Sequence, residues 1–325
     1  MHGLHVEFPS NERVVHAVRG VSFELPRGHT LGIVGESGSG KSVTALSIIG
    51  LLDPPGRVTR GTIHLDGVDL ARLPESRMAE LRGRRAAMIF QNPAASLNPV
   101  LTIGYQMTES LRRHQQQPAD AEAAALDALR SVGIGNPERV LRSYPFQLSG
   151  GMNQRVMIAM AMSARPDLLI ADEPSTALDV TTQAQVLEQL RQLTHRYRTS
   201  VILITHDIAL VAEYADLVLV MYAGEVCEFG PVDEVVNRPR HPYTRALLES
   251  VPRADLPADA VLQAIAGELP DPARIPPGCP FAPRCPEVMD VCRTVDPDFF
   301  DISAGHRAAC HLWSAASSAQ QVALR

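Results

Sequence analysis

Residues 35–42 read Gly-Glu-Ser-Gly-Ser-Gly-Lys-Ser, and the apolar run Thr-Leu-Gly-Ile-Val at 30–34 leads straight into them. A short buried strand that turns through glycines into a helix is the setting a phosphate-binding loop requires. The glycines let the backbone curl so that successive N–H groups converge on one point, and the positive end of the following helix adds to the field there. The candidate cradle is Gly35, Glu36, Ser37, Gly38, Ser39, Gly40, Lys41, Ser42 and Val43. Lys41 would reach the β- and γ-phosphates of a nucleotide, and Ser42 would offer its hydroxyl to Mg²⁺. The loop selects a nucleotide fold of α/β type but leaves the use of the nucleotide open.

Composition narrows that use. A net charge of −6 over 325 residues, with a pI near 6.0, argues against a nucleic-acid binder, which presents a basic face. No run of about 18 apolar residues exists, so the sequence offers no membrane span. Residues 1–6, Met-His-Gly-Leu-His-Val, lack the basic-then-apolar layout of a secretory signal. A cytosolic protein whose membrane link runs through a partner is the expectation. The chain also begins abruptly at its first strand, which points to a start further upstream. Of five cysteines, Cys227 stands alone in an apolar stretch and reads as an inert buried side chain. Cys279, Cys285, Cys292 and Cys310 all fall in the last 50 residues. In a reducing cytosol such a cluster points to a metal site rather than to disulfides.

Along the chain, 4–8 and 21–25 alternate apolar and polar as half-exposed strands do. Residues 42–51 read as the helix after the loop, stopped by Asp-Pro-Pro-Gly at 53–56. A strand and turn are expected at 62–67 and a short buried strand at 86–90. From 92 to 165 the pattern is helical, with a Gln-rich surface patch at 114–118. Continuous apolar runs at 168–171 and 201–205 read as central parallel strands. The helix between them, 181–197, carries Val186, Leu187, Leu190 and Leu193 on one face. Residues 217–222 and 225–229 form a hairpin around Ala223-Gly224. After about 237 proline becomes dense and periodicity fades, so a boundary is placed there, with 314–325 as a loosely held tail.

Two further segments carry chemistry. Leu-Ser-Gly-Gly-Met-Asn-Gln-Arg at 148–155 opens an apolar helix with a Ser-Gly-Gly triplet, a second anion-binding helix start. A nucleotide already held by Lys41 could reach it only on a second subunit. Residues 168–174, Leu-Leu-Ile-Ala-Asp-Glu-Pro, set Asp172 and Glu173 at the C-terminal tip of a central strand, where α/β proteins bind ligands. Asp172 fits a Mg²⁺ partner, and Glu173 stands ready to orient or deprotonate an attacking water. His206 repeats this layout at the tip of the next strand and would face the γ-phosphate as a donor.

Together these segments resemble the ATP-binding subunits of ABC transporters over residues 4–235. The resemblance makes 35–42 the Walker A loop, Gln91 the Q-loop glutamine, and 148–154 the family signature with Ser149, Gly150, Gly151 and Gln154. Walker B ends at Asp172, the D-loop is 177–179 with Asp179, and His206 is the switch histidine. It implies Glu173, His206 and Gln91 as catalytic residues, and Ser42 with Gln91 as ligands of Mg²⁺. The fold it implies is a P-loop NTPase core of ABC type with antiparallel β additions, a helical subdomain at about 92–165, and an irregular cysteine-containing C-terminal extension. Domains of 1–236 and 237–325 follow. Phe8 and His16 are the candidates for stacking on adenine, and Asn153 stands where relatives often carry a basic or small residue. The sequence Phe-Gln-Asn-Pro-Ala-Ala-Ser-Leu-Asn-Pro at 90–99, His-Pro-Tyr-Thr-Arg-Ala-Leu-Leu at 241–248 and the cysteine tail look like the oligopeptide/dipeptide (and nickel) importer branch.

That branch implies uptake of peptides across the bacterial inner membrane, with this subunit on its cytoplasmic face. Its partners would be two permeases, a solute-binding protein and a second, different ATPase subunit, with 92–147 as the permease contact. Nickel chelates, glutathione or oligosaccharides are alternative cargoes, and a soluble ABC-type accessory ATPase of a multi-enzyme assembly is a different reading. The cysteine spacing is not that of a zinc ribbon, which uses close Cys-x-x-Cys pairs. Four thiolates could hold a [4Fe–4S] cluster, a zinc ion, or remain metal-free. The resemblance favours the cluster, in a structural role that pins a proline-rich segment.

Overall fold

The computed structural model describes residues 1–10, 13–114, 120–174, 179–251 and 265–314. Residues 115–118 of the Gln-rich patch, 177–178 of the D-loop and 315–325 of the expected tail lie outside the described residues. The chain forms two compact units, one of residues 1–24, 31–72 and 205–325, the other of 25–30 and 73–204.

In the first unit, the strand His2–Pro9 lies between Val14–Val21 and Arg57–Thr62 in an antiparallel sheet. The strand expected at 21–25 is therefore displaced: pairing of Leu4 with Val21 and Phe8 with Val15 sets the register, and 22–26 carry no regular structure. Local alternation at 21–25 lost to tertiary pairing upstream. Strand Thr30–Val34 runs parallel to Leu217–Tyr222, with Leu31 opposite Leu217 and Val34 opposite Val220. Leu217–Tyr222 turns back into Glu225–Pro231 through Ala223 and Gly224, both at positive φ. The helix Lys41–Ile48 ends before the expected stop at 53–56. Gly50, at φ +62°, ends it, with the Leu51 N–H bonded back to Leu46 at 2.9 Å.

The residues after 237 hold more order than their composition suggests. Pro242–Glu249 is a helix, with His241 Nδ1 accepting from the Tyr243 N–H at 3.0 Å and Pro242 at its first position. Strand His306–Ala308 pairs antiparallel with Glu225–Pro231, setting Ala308 opposite Glu228, and Phe300–Ser303 pairs beyond it. The fully buried Glu228 carboxylate binds this arrangement together. It accepts from the N–H groups of Arg240 (2.7 Å) and His241 (2.8 Å) and lies 2.7 Å from His306 Nε2. The unit's core gathers Val34, Val220, Tyr222, Tyr243, Leu247 and Phe281.

In the second unit, Ala86–Ile89, Leu168–Asp172 and Ser200–Thr205 run parallel, with Ala86 opposite Leu168 and Leu168 opposite Ser200. The block at 92–165 is helical as read, with Ile103–His114, Ala121–Ser131, Pro137–Arg142 and Gly150–Ser163. The helix Val180–Tyr197 buries Val186, Leu187, Leu190 and Leu193. Among the described residues no helix is long and apolar enough to cross a membrane.

Candidate functional site

The loop at 35–40 leaves the strand Thr30–Val34 and enters the helix at Lys41. Gly40 sits at φ +99°, and a Cβ there would meet Ala17 O at 2.5 Å, so only glycine lets the loop pass under the Val14–Val21 strand. Ser39 is buried, Ser37, Gly38 and Ser42 are exposed, and the Lys41 side chain lies along the loop. Its ammonium donates to Gly35 O at 2.7 Å and Glu36 O at 2.9 Å. Phe8 is half-buried and His16 exposed, on paired strands; the His16 N–H donates to Pro272 O at 3.1 Å and its ring lies 3.4 Å from Glu7.

In the second unit Asp172 is buried at the end of its strand, with Glu173 next to it and half-buried. Glu173 adopts φ +45°, a left-handed conformation uncommon outside glycine, and its N–H donates to Ile204 O at 2.9 Å. That backbone turn aims the carboxylate at Gln91, whose Nε2 donates to Glu173 Oε2 at 2.8 Å. Two residues 82 positions apart in sequence thus meet, and strain of this kind is concentrated at functional sites.

Ser149 caps the Gly150–Ser163 helix through its hydroxyl, which accepts from the Met152 N–H at 3.3 Å. Ser149 and Gly150 are open to solvent, Gly151 is half-buried, and Gln154 is buried. Asn153 is buried too, its amide donating to Pro145 O at 3.0 Å, which gives this departure from the family pattern a packing role. Asp179 caps Val180–Tyr197 through Thr182, and His206 follows Ser200–Thr205 with an exposed ring.

Cys279, Cys285, Cys292 and Cys310 line one small cavity with His241 and Phe281. Burial pushes the Cys279 thiol up to about 11 and Cys310 up to about 12, and neighbouring thiolates push the same way. Nearby backbone N–H groups, of Phe281 for Cys279, Glu287 for Cys285 and Leu312 for Cys310, oppose that rise. Four thiols lining one cavity are of the chemical kind that ligates soft metals as thiolates. Among the described residues, no three His, Cys, Asp or Glu side chains are disposed to hold a single metal ion. Cys227 is buried as read, and it packs in the same cluster as Cys279 and Cys285.

The sequence reading missed one part of the site. Glu36 of the loop receives Arg284 and Tyr243 from the C-terminal extension. Nothing in local pattern signals a contact 248 residues apart, although Tyr243 lies in the His-Pro-Tyr run already singled out.

The family model described as ABC transporter matches residues 18–176, and that for the oligopeptide/dipeptide transporter C-terminal region matches 227–292. The chain is 47% identical over 315 residues to the oligopeptide transport ATP-binding protein AppD of Bacillus subtilis (strain 168), covering 96% of both. It is 46% identical over 309 residues to the dipeptide transport ATP-binding protein DppD of Escherichia coli (strain K12), covering 95% of this chain and 94% of that one. Among solved structures, the dimeric structure of MJ0796, a bacterial ABC transporter cassette, aligns with a TM-score of 0.63 at 29% identity, over 71% of this chain and 97% of that one.

Proposed function

Because the chain belongs to the ABC transporter family, with the ATP-binding cassette fold and the C-terminal region of the oligopeptide/dipeptide branch, we propose that it hydrolyses ATP to power peptide import through partner permeases. The Gln91–Glu173 contact at the strained end of the Leu168–Asp172 strand carries the enzymatic reading. It pairs a carboxylate able to orient an attacking water with a glutamine able to sense it.

In this reading the 35–43 loop holds the ATP phosphates with the Lys41 ammonium and those of its N–H groups not already donated within the protein, as the Glu36 N–H is to Tyr243. Ser42 and Gln91 would be ligands of Mg²⁺ and Asp172 a further partner of the ion, which would supply charge neutralisation of the phosphates. Glu173 orients the water, and His206 donates toward the γ-phosphate. Ser149, Gly150, Gly151 and Gln154 serve the ATP held by a second ATPase subunit, a different chain, paired head to tail, with Asp179 at the seam. Two permeases and a solute-binding protein complete the assembly, with this subunit at the cytoplasmic face of the inner membrane. The relatives named for oligopeptide and dipeptide transport support the cargo class.

That Cys279, Cys285, Cys292 and Cys310 line one cavity supports a shared ligand set, which the branch resemblance makes a [4Fe–4S] cluster, with zinc the alternative. The cluster's positive irons would supply what the raised thiol pKa values require, a reason for the protons to leave.

The test is transport-coupled ATPase activity of the assembled transporter in lipid, with its solute-binding protein and short peptides. Peptide stimulates turnover, and Glu173→Gln lowers it by roughly 10²–10⁴-fold while ATP still binds. Stimulation by a metal chelate or sugar, and not by peptide, would overturn the cargo while leaving the ATPase. Full turnover in Glu173→Gln would overturn its catalytic role.

A further inference from the structure

We propose that Arg284 and Tyr243 of the C-terminal extension are positioning residues for the phosphate-binding loop, holding Glu36 in place and cancelling its charge. The inference rests on the reading that residues 35–43 hold ATP, and goes beyond it by assigning the extension a part in nucleotide affinity. The Glu36 peptide is held from both sides: its N–H donates to the Tyr243 hydroxyl at 2.9 Å, and its carbonyl accepts from Lys41. Its carboxylate is gripped by one guanidinium nitrogen, with Arg284 Nη1 lying 3.1 Å from both oxygens.

Arg284 is itself fixed. Its side chain is only 5% exposed; Nε donates to Ala266 O at 2.8 Å, Nη2 to Ile265 O at 3.1 Å, and Nη1 to the Tyr222 hydroxyl at 3.2 Å. A guanidinium with its fork occupied this way carries little conformational freedom and delivers a fixed positive charge. Such a charge is needed, because Glu36 sets an anion at the mouth of a loop built to receive phosphates. Unneutralised, that carboxylate would repel the nucleotide over a few ångströms. The arginine also closes the short turn Ala282–Arg284 that leads into Cys285, so one short turn connects the loop's contact to the cysteine cavity.

The experiment measures ATP affinity of the full chain by equilibrium binding, with thermal melting alongside, for wild type, Lys41→Ala, Arg284→Gln, Glu36→Gln and the double variant. Arg284→Gln should weaken ATP binding by roughly tenfold, the scale of one lost charge-assisted contact. Glu36→Gln should bind more tightly than Arg284→Gln, and so should the double variant, since removing the carboxylate removes the repulsion. In the assembled transporter, Arg284→Gln should raise KM for ATP and leave kcat within about twofold. A folded Arg284→Gln with wild-type affinity, or a double variant weaker than Arg284→Gln, overturns the proposal. If Arg284→Gln does not fold, Tyr243→Phe carries the test: binding several-fold weaker supports it, and unchanged affinity overturns it. Failure of the ATP reading itself looks different, because wild type and Lys41→Ala would then bind nothing alike.

Discussion

His241 shows how one side chain can tie a structural role to pH. It is buried at the start of the Pro242–Glu249 helix, where Nδ1 accepts from the Tyr243 N–H, so the neutral ring is the form that caps. Burial pushes its pKa down to about 4, with Arg245 adding and Glu228 opposing. A depressed histidine contributes stability that is complete above its unfolded value near 6.5 and is lost as pH falls toward 4. The loss amounts to at most about 3 kcal/mol. Melting temperature followed from pH 7 to pH 4 should fall, and His241→Asn, which keeps an acceptor but cannot charge, should flatten that slope. An equal slope in the variant would assign the acid sensitivity to other groups. Sequence alone gave His241 as part of a run; the capping role needed the fold.

At the scale of elements, Phe281 is the hinge pin of the extension. It is 1% exposed and meets Tyr222 at 5.2 Å and Tyr243 at 5.3 Å between ring centroids. Phe281→Ala should lower unfolding stability by about 3–5 kcal/mol, read by chemical denaturation, because both tyrosine rings lose their common partner. A loss under about 1 kcal/mol would mean the cluster repacks around the gap. Legibility differed between elements for physical reasons. The strands Leu168–Asp172 and Ser200–Thr205 are continuous apolar runs, and their ends were readable to within a residue. The helix Pro242–Glu249 had a proline at its first turn that could have revealed it, but the prolines around it hid the signal. The strands Phe300–Ser303 and His306–Ala308 are too short to carry a period, and only their pairing beside Phe229 makes them strands. Likewise Glu173 was legible as a strand-end carboxylate, while its left-handed turn toward Gln91 was not.

For the molecule as a whole, the division of labour is between conserving a nucleotide chemistry and anchoring a cysteine-rich tail to it. The chain purified anaerobically should carry about four iron and four acid-labile sulphide, measured by colorimetric assay and visible absorption. Zinc alone, near one per chain, would sink the cluster. One consequence concerns time rather than geometry. Among the described residues, the outer edge of the Glu225–Pro231 strand pairs with residues synthesised late, at 307–308. At about 5–20 residues per second, a ribosome leaves that edge bare for on the order of ten seconds after the last nucleotide motif has emerged. During that interval the nascent chain presents unpaired backbone groups to any passing strand. That exposure follows the emergence of its nucleotide motifs, and the pair of short strands at 300–308 acts as a seal applied late in synthesis.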